Sequence, residues 1–256
     1  MAYKPQISVV IQTYNEETNI KECIESARRL TDSIIVVDTQ STDRTVEIAK
    51  QENVPVYSHP FVEYVEPVRN FAIKKATTPW VFLLDADERF TPELINEINR
   101  RIDKEPFTYY KVSRKEYFGK KTWLKYGGWW PNYIIRLINT KSFVNWPSAI
   151  HSTPEINGTC GMLEHSILHF SKNDYEVIVN KTINFEDKES ELLYKANRPV
   201  SINTFFRKFF GELYRRLIKK QGFRDGTIGL IESLYQAFSK TITYLYLYEK
   251  KTRRSL

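Results

Sequence analysis

Apolar residues in the first hundred positions fall into short continuous runs separated by segments with helical spacing. The runs are rich in Ile, Val and Leu, and they predict strands over 7–11, 34–37, 54–57 and 80–84. The segments between them carry apolar residues three or four positions apart, and they predict helices beginning near residues 20, 41, 66 and 92. Strands that alternate with helices across short links favour right-handed βαβ units. The predicted fold class is therefore α/β, with a mostly parallel sheet flanked by helices.

The pattern changes after residue 106. Strands are predicted over 109–114 and 133–138, on either side of an aromatic loop over 123–131, and the spacing becomes helical again from about residue 174. We therefore predict one domain over 1–198, made of the halves 1–105 and 106–198. A C-terminal helical extension follows over 199–256.

Charge is unevenly distributed along the chain. Residues 1–198 hold 26 Lys and Arg against 27 Asp and Glu, whereas residues 199–256 hold 12 against 4. A localised positive excess predicts an anionic partner surface, either a membrane or a nucleic acid.

Within the extension, one predicted helix combines an apolar face with a basic surround. The apolar set is Phe205, Phe206, Phe209, Phe210, Leu213, Tyr214, Leu217 and Ile218, and the basic set is Arg207, Lys208, Arg215, Arg216, Lys219 and Lys220. This arrangement is typical of a helix that lies on anionic lipid. The alternative is that the extension docks on the rest of the protein and its charges are merely solvated.

Cysteine content and hydropathy set the expected location. Cys23 and Cys160 are too few for a disulfide framework, which favours a reducing compartment. The chain start lacks the apolar region of a signal peptide, and no apolar run reaches about 18 residues. We expect a cytoplasmic protein, bound peripherally at the inner face of the cytoplasmic membrane.

Two carboxylates follow the strand over 80–84, in the sequence Asp85-Ala86-Asp87-Glu88. Open α/β sheets bind ligands at the carboxyl ends of their strands. In an extended Asp-Ala-Asp both carboxylates can converge on one cation, and Mg²⁺ or Mn²⁺ held by a few carboxylates and phosphate oxygens suits such a site. A nucleotide diphosphate is the natural partner. The alternative is a strand that ends in a solvated acidic turn.

Polar residues also follow the first two strands, at the same edge of the predicted sheet. Thr13-Tyr14-Asn15-Glu16 follows the first strand and Asp38 follows the second. Asp38 can accept a hydrogen bond from a nucleotide base or a ribose hydroxyl, or it can cap a turn. Arg69 can pair with Asp38 or Asp85, hold a phosphate, or lie at the surface.

Four motifs in these hundred residues resemble, in order and spacing, the family 2 glycosyltransferases. They are Thr13-Tyr14-Asn15-Glu16-Glu17, Val36-Val37-Asp38 with Ser41-Thr42-Asp43-Arg44-Thr45, Arg69-Asn70-x-Ala72, and Leu84-Asp85-Ala86-Asp87-Glu88. The resemblance implies a GT-A fold, a nucleotide-sugar donor, a divalent metal and an inverting mechanism. By position it implies that Asp38 reads the base, most simply uracil, and that Thr13, Tyr14 and Glu16 line the nucleotide pocket. Asp85 would contact ribose or metal, and Asp87 would be the main metal ligand.

Motifs in the second half are similar to one branch of that family, the small bacterial enzymes that add glucose to the inner core of lipopolysaccharide. The motifs are Gly128-Trp129-Trp130-Pro131-Asn132-Tyr133-x-x-Arg136-Leu137, Ile150-His151-Ser152, Ile167-Leu168-His169-Phe170 and Gly222-Phe223-Arg224-Asp225-Gly226. The resemblance implies a hexose donor and an acceptor in the lipopolysaccharide core or another cell-surface glycan. It makes residues 1–105 the nucleotide-sugar-binding half and residues 106–198 the acceptor-side half. Trp130 can stack on a sugar or pack in the core, and Arg136 can contact the diphosphate or a phosphorylated acceptor.

Inverting transfer needs a general base to take the acceptor proton. Relatives often carry an acidic residue directly after the histidine, where this chain has Ser152. His151 is the first choice because its unperturbed pKa suits base work at neutral pH, and Glu155 is the second. The alternative role of His151 is to position a loop or the donor phosphate. His169, after an apolar run, is interpreted as a hydrogen-bonded core histidine, with a metal or phosphate ligand as the alternative.

Two other functions compete with glycosyl transfer. A sugar-phosphate nucleotidyltransferase has the same α/β start, but it needs a phosphate loop rich in Gly and Lys, and residues 12–17 contain neither. A nucleic-acid-binding module explains the basic extension but leaves the four N-terminal motifs unexplained. We therefore expect no nucleic acid partner.

Overall fold

The computed structural model describes residues 7–102, 104–149, 152–172 and 175–253. These residues form two compact units. Unit 1 comprises Met1–Arg114 and Asn132–His169, and unit 2 comprises Lys115–Pro131 and Phe170–Leu256. The predicted domain boundary at residue 198 stays a prediction.

The strands follow the predicted order along the chain. They are β1 (Ile7–Thr13), β2 (Ile34–Asp38), β3 (Val56–Ser58), β4 (Trp80–Asp85), β5 (Glu88–Arg89), β6 (Tyr109–Phe118), β7 (Thr122–Trp123), β8 (Tyr133–Asn139), β9 (Phe143–Asn145), β10 (Glu155–Ile156) and β11 (Cys160–Lys172). The helices are α1 (Ile20–Arg28), α2 (Thr45–Gln51), α3 (Glu66–Lys75), α4 (Pro92–Arg101), α5 (Tyr175–Lys195), α6 (Ile202–Tyr214) and α7 (Gly226–Arg253).

The sheet of unit 1 begins with four parallel strands in the order β3-β2-β1-β4. Its register aligns Thr13 with Asp38 and Gln12 with Asp85. The carboxyl ends of β1, β2 and β4 therefore lie at one edge of the sheet. The βαβ prediction is confirmed, and the polar residues that follow these strands share the edge that binds ligands in open α/β sheets.

Strands in antiparallel pairing extend this sheet in the order β4-β8-β6-β11-β5, in which β8, β6 and β11 follow residue 106 and β5 comes directly after β4. β8 runs antiparallel to β4, and β6 runs antiparallel to β8. The short strand β5 pairs with β11, where His169 lies opposite Glu88. This pairing brings a residue from the far end of unit 1 beside the acidic sequence after β4.

Apolar residues on the two faces of the sheet form two cores. Val9, Ile11 and Phe82 face the core that includes α1 and α4. Val10 and Leu83 face the core that includes α3. Because neighbouring residues of a strand point to opposite faces, continuous apolar strands are needed to fill both cores. The predicted α/β class with the GT-A arrangement is confirmed.

Helix boundaries in unit 1 follow local chemistry. Thr91 precedes α4, and its hydroxyl accepts a hydrogen bond from the Leu94 amide at 3.2 Å. Pro92 occupies the first helical turn, where no intrahelical N–H bond is needed. α3 ends at Ala76, which is extended.

Unit 2 contains the last residues of β6, the strand β7 and a helical region. α6 begins after Ser201, whose hydroxyl accepts from the Thr204 amide, and it continues into a π-helical turn over Arg215–Lys219. A 3₁₀ turn over Gly222–Asp225 leads into α7. α7 packs against both α5 and α6. The predicted C-terminal helical extension is confirmed.

Within the described ranges, no helix has both the length and the apolar content to cross a membrane.

Candidate active site

A tight turn joins β4 to β5 and carries the two predicted metal-site aspartates. Asp85 ends β4, Ala86 and Asp87 form the turn, and Glu88 begins β5. The Glu88 carboxylate closes this turn by accepting from the Asp85 amide at 3.0 Å. The expectation of an extended Asp-Ala-Asp is wrong, because Ala86 and Asp87 form a turn in which the two aspartates have different partners. Joint binding of one cation by both carboxylates stays a prediction.

Asp85 is held by arginines. Both Nη atoms of Arg136 reach its carboxylate, and Nη2 of Arg69 lies 3.4 Å from Oδ1. Burial alone would raise the pKa of Asp85, but Arg136 and Arg69 hold it below its usual value. The predicted pairing of Arg69 with Asp85 is confirmed.

Glu88 is the second carboxylate of this charge cluster. It is fully buried, it accepts from Nη2 of Arg136 at 2.7 Å, and Nη1 of Arg114 lies 3.6 Å away. Burial raises the pKa of Glu88 above its usual value, against the pull of Arg136. Three arginines thus surround the carboxylates of Asp85 and Glu88, and Arg114 also attracts the Asp87 carboxylate in the same turn.

Arg69 connects this cluster to the chain that follows β9. Its guanidinium lies 5.1 Å from the ring centre of Trp146, and burial lowers its pKa to about 10. The neighbouring Asn70 binds the same segment, since its Oδ1 accepts from the Trp146 amide at 2.8 Å and its Nδ2 donates to the Trp146 carbonyl at 2.8 Å. The Nε and Nη1 atoms of Arg69 are buried and have no hydrogen-bond partner within the part of the chain that the structure describes.

Asp87 faces His169 across the β5–β11 pair. Nε2 of His169 lies 3.3 Å from Oδ2 of Asp87, and both side chains are largely buried. Burial would raise the pKa of Asp87, but His169 holds it below its usual value. His169 is thus a hydrogen-bonded, buried histidine as interpreted, and it also lies in the site.

The Asp87 carboxylate is an oxygen ligand of the kind that suits Mn²⁺ and Mg²⁺, and the His169 imidazole beside it is a nitrogen ligand more typical of later transition metals. Among the residues described, no cluster of three or more His, Cys, Asp or Glu side chains could hold a metal ion. Mg²⁺ in nucleotide enzymes is usually held by one or two carboxylates together with substrate phosphates and water. Asp87 with His169 fits that arrangement, whereas the oxygens of Asp85 are occupied by arginine.

Asp38 lies at the end of β2 and is buried. Its Oδ2 accepts from the Ser41 amide at 3.0 Å, and its Oδ1 accepts from the Ser41 hydroxyl at 2.5 Å. Beside it, the hydroxyl of Thr13 is buried and has no partner among the described side chains and backbone. Asp38 is therefore oriented by its turn, next to a buried hydroxyl whose hydrogen-bonding capacity is unused among the described residues.

Hydrogen bonds tie the loop after β1 to the loop after β2. Oδ1 of Asn15 accepts from the Thr42 amide at 2.7 Å, and the Asn15 amide donates to Oγ of Ser41 at 2.8 Å. The Glu16 amide donates to Oγ1 of Thr45 at 2.8 Å, and the Glu16 carboxylate accepts from Nδ2 of Asn19 at 2.7 Å. These bonds hold the polar motifs of the two loops as one surface.

An exposed aromatic pair lies next to Asp38. The rings of Tyr14 and Phe61 are 4.8 Å apart and remain 41% and 47% exposed. The amide of Phe61 approaches Oε1 of Gln40, two residues after Asp38. Exposed aromatic side chains beside a hydrogen-bonding carboxylate offer a flat surface for a base.

The remaining predicted site residues lie elsewhere. His151 falls outside the described residues. Glu155 is exposed on the two-stranded β9–β10 sheet, and no described contact joins it to Asp38, Asp85 or Asp87. Trp130 belongs to unit 2, where its ring lies edge-on to Trp123 at 5.5 Å.

Four residues of this site were not predicted as site residues from sequence: Glu88, Arg114, His169 and Phe61. The acidic residue directly after the Asp-x-Asp was visible, but its inward direction depends on the turn. The other three reach the site through strand pairing or loop position, which no local pattern reveals.

Comparisons with known proteins show the family of this chain. The sequence model of glycosyl transferase family 2 matches residues 8–170. An uncharacterized glycosyltransferase of Rickettsia typhi is 29% identical over 261 residues, covering 95% of this chain and 87% of the relative. An uncharacterized glycosyltransferase of Rickettsia prowazekii is 29% identical over 252 residues, covering 92% and 84%.

Solved structures also resemble this chain. S. aureus TarS, residues 1–349, matches with a TM-score of 0.50 and 17% identity, covering 98% of this chain and 92% of TarS. Glucosyl-3-phosphoglycerate synthase of Mycobacterium tuberculosis, in complex with Mn²⁺, UDP-glucose and phosphoglyceric acid, matches with a TM-score of 0.38 and 24% identity over 43% of this chain and 44% of that chain.

Proposed function

Because this chain belongs to glycosyl transferase family 2, we propose that it transfers a hexose from a UDP-sugar to a saccharide acceptor, with inversion and with the aid of Mg²⁺ or Mn²⁺. The observation that carries this proposal is that the two aspartates after β4 have different partners. Asp85 is engaged by Arg69 and Arg136, while Asp87 lies beside His169. One carboxylate is thus part of a cationic cluster, and the other is left to a metal.

Asp87 is the proposed metal ligand, with His169 as its neighbour in the donor set. A divalent cation bound there neutralises charge on the departing diphosphate. Since His169 lowers the pKa of Asp87, the carboxylate is ionised well below neutral pH. Asp85 has the lesser role of orienting the arginines and, through its turn, Asp87.

The arginine cluster supports diphosphate binding. Arg69, Arg114 and Arg136 contact Asp85 and Glu88, and the buried Nε and Nη1 atoms of Arg69 are without partners among the described residues. An unsatisfied buried donor has a free-energy cost that a phosphate oxygen would relieve. We assign Arg69 to the diphosphate, with Arg136 holding the two acids in place.

The nucleotide is proposed to lie across the loops after β1 and β2. Asp38 accepts from the uracil, Tyr14 and Phe61 provide the flat surface against it, and Thr13 and Glu16 line the pocket. Support comes from the burial of Asp38, the partnerless hydroxyl of Thr13 in the described structure, and the exposed aromatic pair.

For the general base we retain His151 first and Glu155 second. The base takes the proton of the acceptor hydroxyl as that oxygen attacks the anomeric carbon and the bond to the diphosphate breaks. The acceptor is proposed to be a saccharide of the lipopolysaccharide core or another cell-surface glycan. Trp130 is the proposed stacking surface for a sugar ring.

A binding experiment tests the metal and nucleotide assignments separately. UDP with MnCl₂ should raise the unfolding temperature of the wild type more than UDP alone, because the bound cation links Asp87 to the diphosphate. In Asp87→Asn the Mn²⁺-dependent increment should disappear while the UDP increment persists. Glu25→Gln, an exposed change on α1, is the matched control and should behave as the wild type does.

Turnover tests the reaction itself. UDP release from a panel of UDP-hexoses should require Mn²⁺ or Mg²⁺, and Asp87→Asn should abolish it. Full turnover in EDTA would overturn the metal role. Mn²⁺-independent UDP binding that is unchanged in Asp38→Ala would overturn the nucleotide assignment.

A further inference from the structure

The helices of unit 2 bury small and polar residues and expose large apolar ones. The buried residues of α7 are Gly229, Glu232, Ser233, Ala237, Ser239, Thr243 and Leu247. Its exposed apolar residues are Leu230, Ile231, Leu234, Phe238, Leu245 and Tyr248, each 41–54% exposed. A surface helix of a water-soluble protein normally has the reverse pattern, with its apolar stripe facing the core.

Side-chain hydrogen bonds join α5 to α7. Glu186 of α5 is buried and accepts from the hydroxyls of Ser239 and Thr243. The Tyr235 hydroxyl donates to Oγ1 of Thr182 at 2.7 Å. Helix contacts built from small residues and side-chain hydrogen bonds are typical of helices in apolar surroundings, where burying more apolar surface between helices gains nothing.

α6 divides its apolar residues between two sides. Phe205, Phe209, Leu213 and Leu217 are partly buried, while Ile202, Phe206, Phe210, Tyr214 and Ile218 are 51–67% exposed. The apolar residues of 205–218, predicted to fall largely on one helical face, are thus divided between a partly buried side and an exposed side. One stripe packs within the protein, and the other lies on its surface.

Exposed basic residues lie beside the exposed apolar stripe of α6. The acids of the extension are already engaged: Glu212 binds Arg215 and Arg216, Glu249 binds Arg253, Asp225 accepts from the Tyr126 amide, and Glu232 is buried. Arg207, Lys219 and Lys220 are exposed. The surface around the stripe therefore presents these three exposed basic side chains.

We propose that the exposed apolar residues of α6 and α7, together with Arg207, Lys219 and Lys220, form a docking surface for an anionic lipid bilayer. The apolar side chains enter the boundary between headgroups and acyl chains, and the basic side chains meet lipid phosphates. Since no described helix can cross a membrane, binding is at the interface. A second copy of the chain is a poorer occupant, because it would bring two surfaces of the same positive charge together.

Vesicle co-sedimentation tests this surface on the full chain. The wild type should bind vesicles of phosphatidylcholine with phosphatidylglycerol, release at high salt, and bind pure phosphatidylcholine far less. Arg207→Gln with Lys219→Gln and Lys220→Gln should weaken binding about a hundredfold, since each basic residue near an anionic leaflet contributes roughly a fivefold factor. The matched control is Lys74→Gln with Lys111→Gln and Lys141→Gln, which removes the same charge from exposed positions of unit 1 and should leave binding within about twofold.

The apolar part is tested by Phe206→Ser with Phe210→Ser. Both side chains are mostly exposed, so the unfolding temperature should hardly change while vesicle binding falls at least tenfold. If the unit 1 control lost as much vesicle binding as the triple variant of Arg207, Lys219 and Lys220, the effect would be due to net charge alone, and the proposal would be overturned. A lipid-independent dimer in sedimentation equilibrium that Phe206→Ser and Phe210→Ser dissociate would assign the surface to a second copy and also overturn it.

Discussion

Removing the Glu88 carboxylate should destabilise the fold more than any other change at the site. Its Oε2 accepts from the Asp85 amide, and its Oε1 is 2.7 Å from Nη2 of Arg136 and 3.6 Å from Nη1 of Arg114. In Glu88→Ala, two arginines lose a buried acceptor and the Asp85 amide loses its partner. Breaking a buried ion pair from one side costs about 3–5 kcal/mol, because the remaining charge is uncompensated.

Glu88→Gln separates charge from shape. Its amide oxygen can still accept from the Asp85 amide, but it cannot neutralise Arg136. A hydrogen bond to a charged group contributes about 1.5–3 kcal/mol, so the free energy of unfolding should fall by about that amount. The expected order of stability is wild type, Glu88→Gln, Glu88→Ala, measured by urea unfolding with the slope checked for constancy.

A function assay distinguishes this role from simple packing. Because the Glu88 side chain holds the turn that carries Asp87, Glu88→Gln should weaken the Mn²⁺-dependent part of UDP binding while the metal-independent part persists. Leu94→Ala, a change in the core beneath the sheet, is the control: it should lower stability by about 2–5 kcal/mol without that selective loss. A Glu88→Ala protein within about 1 kcal/mol of wild type would refute the reasoning.

Three further changes have expected outcomes. Since the pKa of Asp85 is held below its usual value, the ionised Asp85 stabilises the fold above about pH 4, and this contribution is lost as the pH falls. In Asp85→Asn the unfolding free energy should therefore decline less steeply below pH 4. A decline as steep as that of the wild type would count against this. His169→Gln should abolish the Mn²⁺-dependent part of UDP binding and leave stability within about 1–3 kcal/mol of wild type, as calorimetry can show; unaltered Mn²⁺ binding would remove His169 from the site. Gly229→Ala should lower stability by about 1–3 kcal/mol or more, because the new Cβ would lie 2.0 Å from the Gly222 carbonyl oxygen. Gly211→Ala, in open space on α6, should instead raise stability by about 0.5–1 kcal/mol. Equal thermal shifts in the two variants would contradict the close approach at Gly229.

The sequence predicted the parallel half of the sheet well because burial there is two-sided. A strand covered on both faces must be apolar at every position, and Trp80–Leu84 has no alternative that keeps these side chains from water. Once the strands are parallel, their carboxyl ends must meet, so Asp38 and Asp85 were expected at the same edge. The pairing of Arg69 with Asp85 follows from the same geometry.

The partners of Asp87 and Glu88 could not be predicted in this way. His169 is 82 positions after Asp87 in the chain, and only the β5–β11 pairing brings them together. The turn at Ala86 and Asp87 depends on the Glu88 carboxylate reaching the Asp85 amide. No local pattern encodes such a contact, because an acidic residue after a strand is usually solvated.

Helical periodicity also left the free side of α6 undetermined. Eight apolar residues over 205–218 exceed one stripe of a helix, so the pattern indicates amphipathic character without saying which side meets the protein. Packing against α7 decides this. The same sequence is compatible with either side being buried until the neighbouring helix is placed.

The different surroundings of the two aspartates explain why an Asp-x-Asp can serve as more than a pair of equivalent ligands. Asp85 has two arginine partners, so a metal ion placed on it would have to displace a guanidinium from a buried carboxylate. Asp87 has a single described ion-pair partner, His169, and an imidazole can itself ligate the metal once it is neutral. Binding a divalent cation at Asp87 therefore keeps the arginine cluster intact, and that cluster supplies positive charge for the diphosphate. In Asp87→Asn, Asp85 cannot take over as the metal ligand, because the charge of Asp85 already holds Arg69 and Arg136 in place.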